Sequence, residues 1–118
     1  MEKPHKKLDV WKLALDLVVE IYKVTRLLPA DEKYNLSSQM KQAAVSVPAN
    51  IAEGAARNTK KEFANFLHIA QGSLSELDTH IEVAKRLEYW REEQVRNADA
   101  LMERIDKMLT GLIKHQKH

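Results

Sequence analysis

Apolar residues recur at alternating spacings of four and three along most of this chain, the interval that aligns them on one face of an α-helix. Val10, Ala14, Leu17, Ile21, Val24 and Leu28 form the first such stripe and predict a helix over about residues 10–28. Trp11, Leu15, Val18 and Tyr22 make a second stripe beside it. The combined face is wider than two neighbouring helices normally require. Either this helix is wedged deep in its own bundle, or part of it is buried against another subunit. Trp11, Leu15, Val18 and Tyr22 are the candidate subunit contacts.

Pro29 stops the first helix, and a polar connection follows. Met40, Ala43, Ala44, Val47, Ile51 and Ala55 then predict a second helix over 36–57, although Pro48 stands inside it. A proline within a helix removes one backbone hydrogen bond and clashes with the preceding turn, at a cost of roughly 3 kcal/mol. A kink at Pro48 is therefore expected, with Ser46 and Asn50 placed to bond the backbone groups it frees. Thr59 followed by Glu62 matches a capping box and starts a third helix, predicted over 60–88. Phe63, Leu67, Ala70, Leu74, Leu77, Ile81 and Ala84 line that helix, with Gly72 in its middle. Glycine there costs about 1 kcal/mol relative to alanine and suggests close approach of another backbone. The pattern breaks around Glu88–Arg91, where no Gly, Pro or Asn marks a turn. A fourth helix is predicted over 92–114 from Ala98, Met102, Ile105, Leu109 and Leu112, with a fraying tail at 115–118. No strand-like alternation is present. The expected fold is all-α, a single domain over residues 1–118 forming an antiparallel up-down-up-down four-helix bundle kinked at Pro48.

Composition narrows the function classes. Apolar residues make up 44% and charged residues 31%, as in folded soluble proteins and unlike disordered chains. Cysteine is absent, which excludes disulfides and thiolate metal sites and fits a reducing cytoplasm. No apolar run approaches the ~20 residues of a membrane span, and the first seven residues lack a signal-peptide core. Catalytic signatures are missing too. No Glu-x-x-His pair of a di-metal bundle lies within a predicted helix, no nucleophile elbow surrounds any serine, and three glycines cannot build a phosphate loop. Glu76 and His80, four apart, read as a surface hydrogen-bonded pair before they read as metal ligands. The expectation is a protein that is not an enzyme and has no cofactor or metal.

The net charge of +2 says little by itself, but its distribution is uneven. Between residues 36 and 61, Lys41, Arg57, Lys60 and Lys61 oppose only Glu53. Lys3, Lys6 and Lys7 form a second basic group. Either group could meet a phosphate backbone, or be an ordinary solvated helix end. The basic segment carries no aromatic platform on which single-stranded bases would stack.

Leu8-Asp9-Val10-Trp11-Lys12-Leu13-Ala14, Ser46-Val47-Pro48-Ala49-Asn50-Ile51-Ala52-Glu53-Gly54, Phe63 to Leu77 and Met108 to Ile113 together carry a resemblance. They resemble the small bundle proteins encoded by intervening sequences in bacterial 23S ribosomal RNA genes, a family similar in turn to the accessory variability proteins of diversity-generating retroelements. The resemblance implies a four-helix bundle assembling as a homo-oligomer, a homopentamer among relatives, with RNA binding as the usual suggestion. Pro48, Asn50, Glu53, Gly54 and Gly72 are then structural signature positions. Relatives commonly carry two adjacent basic residues where this chain has Lys41-Gln42, and the missing charge weakens a nucleic-acid role for that turn. Two functions compete: an oligomeric accessory protein that binds RNA or DNA through Lys41, Arg57, Lys60 and Lys61, and a scaffold that presents its helices to a protein partner.

Overall fold

The computed structural model describes residues 3–117; Met1, Glu2 and His118, and with them the ends of the predicted domain and tail, lie outside the described residues. Four α-helices account for most of these residues: α1 (Asp9–Thr25), α2 (Leu36–Ala55), α3 (Lys60–Arg86) and α4 (Arg96–Gln116). Short 3₁₀ turns at Pro4–Lys7, Ala30–Glu32 and Glu92–Gln94 precede α1, α2 and α4. Among the described residues there is no strand. Each helix packs against two others, α1 on α2 and α4, and α3 on α2 and α4, with the most extensive seam between α2 and α3. The result is a four-helix bundle measuring 44 × 25 × 19 Å.

The helical stripes become the core. Val10, Ala14, Leu17, Ile21 and Val24 of α1 meet Met40, Ala43, Ala44, Val47 and Ile51 of α2 in one buried cluster with Leu67, Leu77, Ile105 and Leu109. Burying a leucine or isoleucine side chain stabilises the fold by about 1.5–3 kcal/mol. These residues therefore hold the bundle together.

Local chemistry shifts the predicted helix ends. Regular α1 stops at Thr25, three residues before the predicted end, because Leu27 N–H bonds to Val24 and Leu28 N–H to Thr25 in a tightened last turn. Leu28 stays buried on this turn. α2 ends at Ala55 instead of residue 57. At Thr59 the hydroxyl accepts from Glu62 N–H at 3.1 Å, and the Glu62 carboxylate lies 3.1 Å from the same hydroxyl. This cap starts α3 at Lys60.

α3 ends at Arg86 in a Schellman motif, with Tyr89 N–H bonded to Ala84 and Glu88 N–H to Lys85. Glu88 takes the left-handed position with φ of 63°, where glycine is the favoured residue. α4 begins four residues later than the pattern predicts, at Arg96. Residues 92–94 are wound as a 3₁₀ turn, pinned by Arg91 N–H donating to the Gln94 side chain at 2.8 Å.

Pro48 lies buried within α2, and the helix runs without interruption from Leu36 to Ala55. The carbonyl that loses its donor to the proline is that of Ala44, four residues back. The polar flanks do something else. Asn50 donates to the Ser46 carbonyl at 2.8 Å and to its hydroxyl at 2.9 Å, while the Ser46 and Ser73 hydroxyls meet at 2.8 Å. Asn50 and Ser46 thus tie α2 to α3 across their seam, a cross-link the local reading of the proline did not anticipate.

The two signature glycines have opposite surroundings. A Cβ on Gly54 would lie 2.7 Å from Phe66 Cβ and 2.9 Å from Phe63 Cδ1, closer than packed atoms can approach. Glycine is required there so that α2 can meet the start of α3. A Cβ on Gly72 would meet no neighbouring atom within 4 Å, and the residue is exposed. The close backbone approach expected at Gly72 is absent, because the helix turns that residue away from its neighbours.

Candidate nucleic-acid interface

The connections sort the helix ends into two groups. The end of α1 and the start of α2 are joined by a short connection, and the α3–α4 connection lies beside it. There, Trp90 donates its indole N–H to the Val24 carbonyl at 3.1 Å and Tyr89 donates its hydroxyl to Glu32 at 2.8 Å. The opposite end of the bundle therefore holds the 3₁₀ turn before α1, the α2–α3 corner and the end of α4. The first of these turns packs on both α1 and α2.

This arrangement brings together basic residues that are far apart in sequence. Lys3, Lys6 and Lys7 come from the first turn, Arg57, Lys60 and Lys61 from the α2–α3 corner, and Lys114 and Lys117 from α4; all eight are exposed. Among the described residues only Asp9, Glu53 and Glu62 oppose them in these segments. The corresponding segments at the other end, 26–35 and 85–96, carry six cations against five carboxylates. Charge is thus segregated along the bundle although the total is nearly neutral.

Of the four predicted nucleic-acid contacts, Arg57, Lys60 and Lys61 belong to this basic end. Lys41 does not. Sixteen residues, all but the last two in α2, carry the chain from it to Arg57, a rise of about 24 Å. Its ammonium sits 4.9 Å from the centroid of the Tyr22 ring, in the groove between α1 and α2. Arg57 is held by Glu53 one turn earlier and lies over the Phe66 ring at 4.8 Å. Both partners of that ion pair are about half exposed, so it orients the guanidinium more than it stabilises the fold. Lys114 and Lys117 escaped the sequence reading, which placed them at the last position of the fourth helix and in its fraying tail. Their signal was present as charge, but nothing along the chain tells which end they share.

The aromatic residues are distributed in the opposite sense. At the basic end Trp11 and Phe63 are packed against the core, and Phe66 lies under Arg57. Trp11 also meets His5 edge-on at 4.8 Å. The candidate subunit contacts consequently divide: Trp11 and Val18 pack on the core, whereas Leu15 and Tyr22 are 40% and 42% exposed.

At the other end Lys85 is nearly buried and contacts Glu82, Asp99 and Glu92 at 3.1, 3.1 and 3.6 Å. Burial works against its charge, but hydrogen bonds to Asp99 and Glu82 outweigh it and raise its pKa above the ordinary lysine range. Asp78, beside this cluster, is pushed up by burial and by the neighbouring Glu82 and Asp99 charges. His80 Nε2 lies 3.5 Å from Glu76, yet it is buried and makes no hydrogen bond. The pair expected at this spacing is a close approach and not a bond. Among the described residues no group of three or more His, Asp or Glu side chains could hold a metal ion, and no helix is long and apolar enough to cross a membrane.

Comparison with known proteins assigns the chain to a family. The family model described as "23S rRNA-intervening sequence protein" matches residues 6–111. A solved structure from Bacteroides thetaiotaomicron VPI-5482, described as a protein with unknown function from the S23 ribosomal protein family, superposes with a TM-score of 0.81. The two share 28% identity, over 89% of this chain and 98% of that one. No curated protein matches. The chain belongs to the 23S rRNA-intervening sequence protein family.

Proposed function

We propose that this member of the 23S rRNA-intervening sequence protein family is a non-enzymatic accessory protein that holds RNA by its phosphate backbone through the basic end of the bundle. The observation that carries this reading is the meeting of eight exposed cations from three segments against three carboxylates. The packed aromatics of that end leave backbone contact, and not base stacking, as its mode of recognition. The family's resemblance to accessory variability proteins, which implies nucleic-acid binding, supports the same ligand class, and a cysteine-free chain suits a reducing cytoplasm.

Assembly into a homo-oligomer, a pentamer by resemblance, would repeat the basic end and raise affinity through avidity. Exposed Leu15 and Val19 on α1, Ile69 and Val83 on α3, and Leu87 just beyond α3 are apolar surface available to other copies. Light scattering should then give a mass well above 13.6 kDa.

Fluorescence anisotropy with a structured RNA and a duplex DNA tests the binding. With four phosphates held, affinity should fall about 100-fold between ~50 and ~200 mM salt. Lys6→Glu combined with Lys61→Glu should weaken binding and flatten that salt dependence. No binding at low salt, or binding indifferent to charge reversal, would reject the reading. Salt-independent recovery of one protein partner would favour a scaffold instead.

A further inference from the structure

We propose that the groove between α1 and α2 is a second nucleic-acid site, one that takes a single-stranded segment by stacking its bases on tyrosine. The ligand class rests on the nucleic-acid reading above, but the site and its chemistry are separate. Tyr22, Lys33, Tyr34, Ser38, Lys41 and Gln42 line this groove, and no carboxylate does. Lys33 Nζ stands 5.3 Å from the Tyr34 ring centroid and Lys41 Nζ 4.9 Å from that of Tyr22. Among the described residues neither lysine has a carboxylate within ion-pair distance.

Tyr34 is 88% exposed, an unusual position for a large ring. Both its faces cannot be covered by one lysine, so a planar base can stack on it. Aromatic faces interleaved with cations are what single-stranded binding requires, since the rings accept any base and the cations follow the phosphates. Ser38 and Gln42 add hydrogen-bonding groups at the groove wall. Charge complementarity selects this occupant: two uncompensated lysines suit a polyanion and would be poorly buried beneath a neutral or basic partner. The basic end offers cations beside half-buried rings only, whereas this groove offers cations beside the exposed ring of Tyr34. A strand and a duplex should therefore prefer different places on the molecule.

The test compares a fluorescent eight-residue oligoadenylate with a 20-base-pair RNA duplex, using the full-length protein. Tyr34→Ala should weaken oligoadenylate binding about 5- to 150-fold, the range for loss of one stacked base. Tyr34→Phe should restore it, and Lys41→Ala should weaken it, while duplex binding stays within about twofold in all three. Lys61→Glu should do the reverse. Undiminished oligoadenylate binding by Tyr34→Ala overturns the proposal, as does a wild type that binds duplex alone. A change in assembly mass on Tyr34→Ala, with no change in strand binding, would assign the groove to a second copy. Strand binding that depends on Tyr34, without any duplex binding, would uphold the groove and reject the basic end. If neither probe binds, both readings fall.

Discussion

The two ends of this bundle are built on opposite principles. The end holding residues 85–96 is tied down: Trp90 is 4% exposed and bonded to the α1 backbone, Tyr89 reaches Glu32, and Lys85 gathers three carboxylates. The opposite end closes through a capped corner and tight glycine packing, and its cations lie at the exposed surface. Where carboxylates gather around a nearly buried lysine they fix a connection. Where they are exposed and of one sign they repel one another, and a polyanion relieves that repulsion. One end thus serves stability and the other is available to a ligand.

The sharpest way to break this contrast is Trp90→Ala. It removes a buried aromatic and its hydrogen bond, and should cost about 3–5 kcal/mol in chemical denaturation while leaving duplex affinity of the folded fraction unchanged. If duplex binding vanished in protein still folded by circular dichroism, the two ends would not be independent.

Gly54→Ala attacks the other end. The added methyl meets Phe66 and Phe63, so α2 and α3 must move apart at an expected cost of about 1–3 kcal/mol. Because Arg57, Lys60 and Lys61 follow directly, this variant should lose duplex affinity as well as stability. A stability loss with full affinity would show that the corner's geometry is irrelevant to binding.

Lys85→Met should cost about 1–2 kcal/mol near neutral pH, a value discounted because its carboxylate partners are partly exposed. The sign follows from the raised pKa: the stabilisation is complete below the ordinary lysine range and is lost as pH rises through the raised folded value. The gap in melting temperature between wild type and variant should therefore persist through neutral pH and narrow only in strong alkali. A gap that closed near neutrality would contradict the network.

The smallest effects are gains, one on each side of the same rule. Glu88→Gly relieves a left-handed residue and should stabilise the locked end by about 1 kcal/mol. Gly72→Ala fills open space in a helix and should stabilise by about 0.5–1 kcal/mol. Thermal melts of both variants check the assignments. Destabilisation by Gly72→Ala would reveal a neighbour on that face in the assembled protein.

The helices were legible because their information is local. A spacing of three and four places Val10 and Ala14, or Leu67 and Leu74, on one face whatever the rest of the chain does. The Thr59–Glu62 cap was legible for the same reason. The 88–91 turn was not, since a Schellman motif with glutamate in the glycine position carries no turn residue. Trp90 looked like part of a broken pattern, yet it is core, because its pocket is supplied by α1, sixty-six residues away in sequence. The candidate site was half legible. Lys60 and Lys61 were visible as a basic run, but Lys41 was grouped with them by sequence nearness and the helix carries it about 24 Å away.

By itself, then, the sequence determined the number of helices, their buried faces, the capped start of α3 and the family signature around Pro48. Each follows from side-chain chemistry acting within a few residues. Only the tertiary structure decided which glycine is indispensable and which is replaceable, and which lysines stand together. It also placed the exposed ring of Tyr34 and the clustered cations in different places. Those properties depend on contacts between residues far apart in the chain, and such contacts exist only once four hydrophobic faces have been buried against one another.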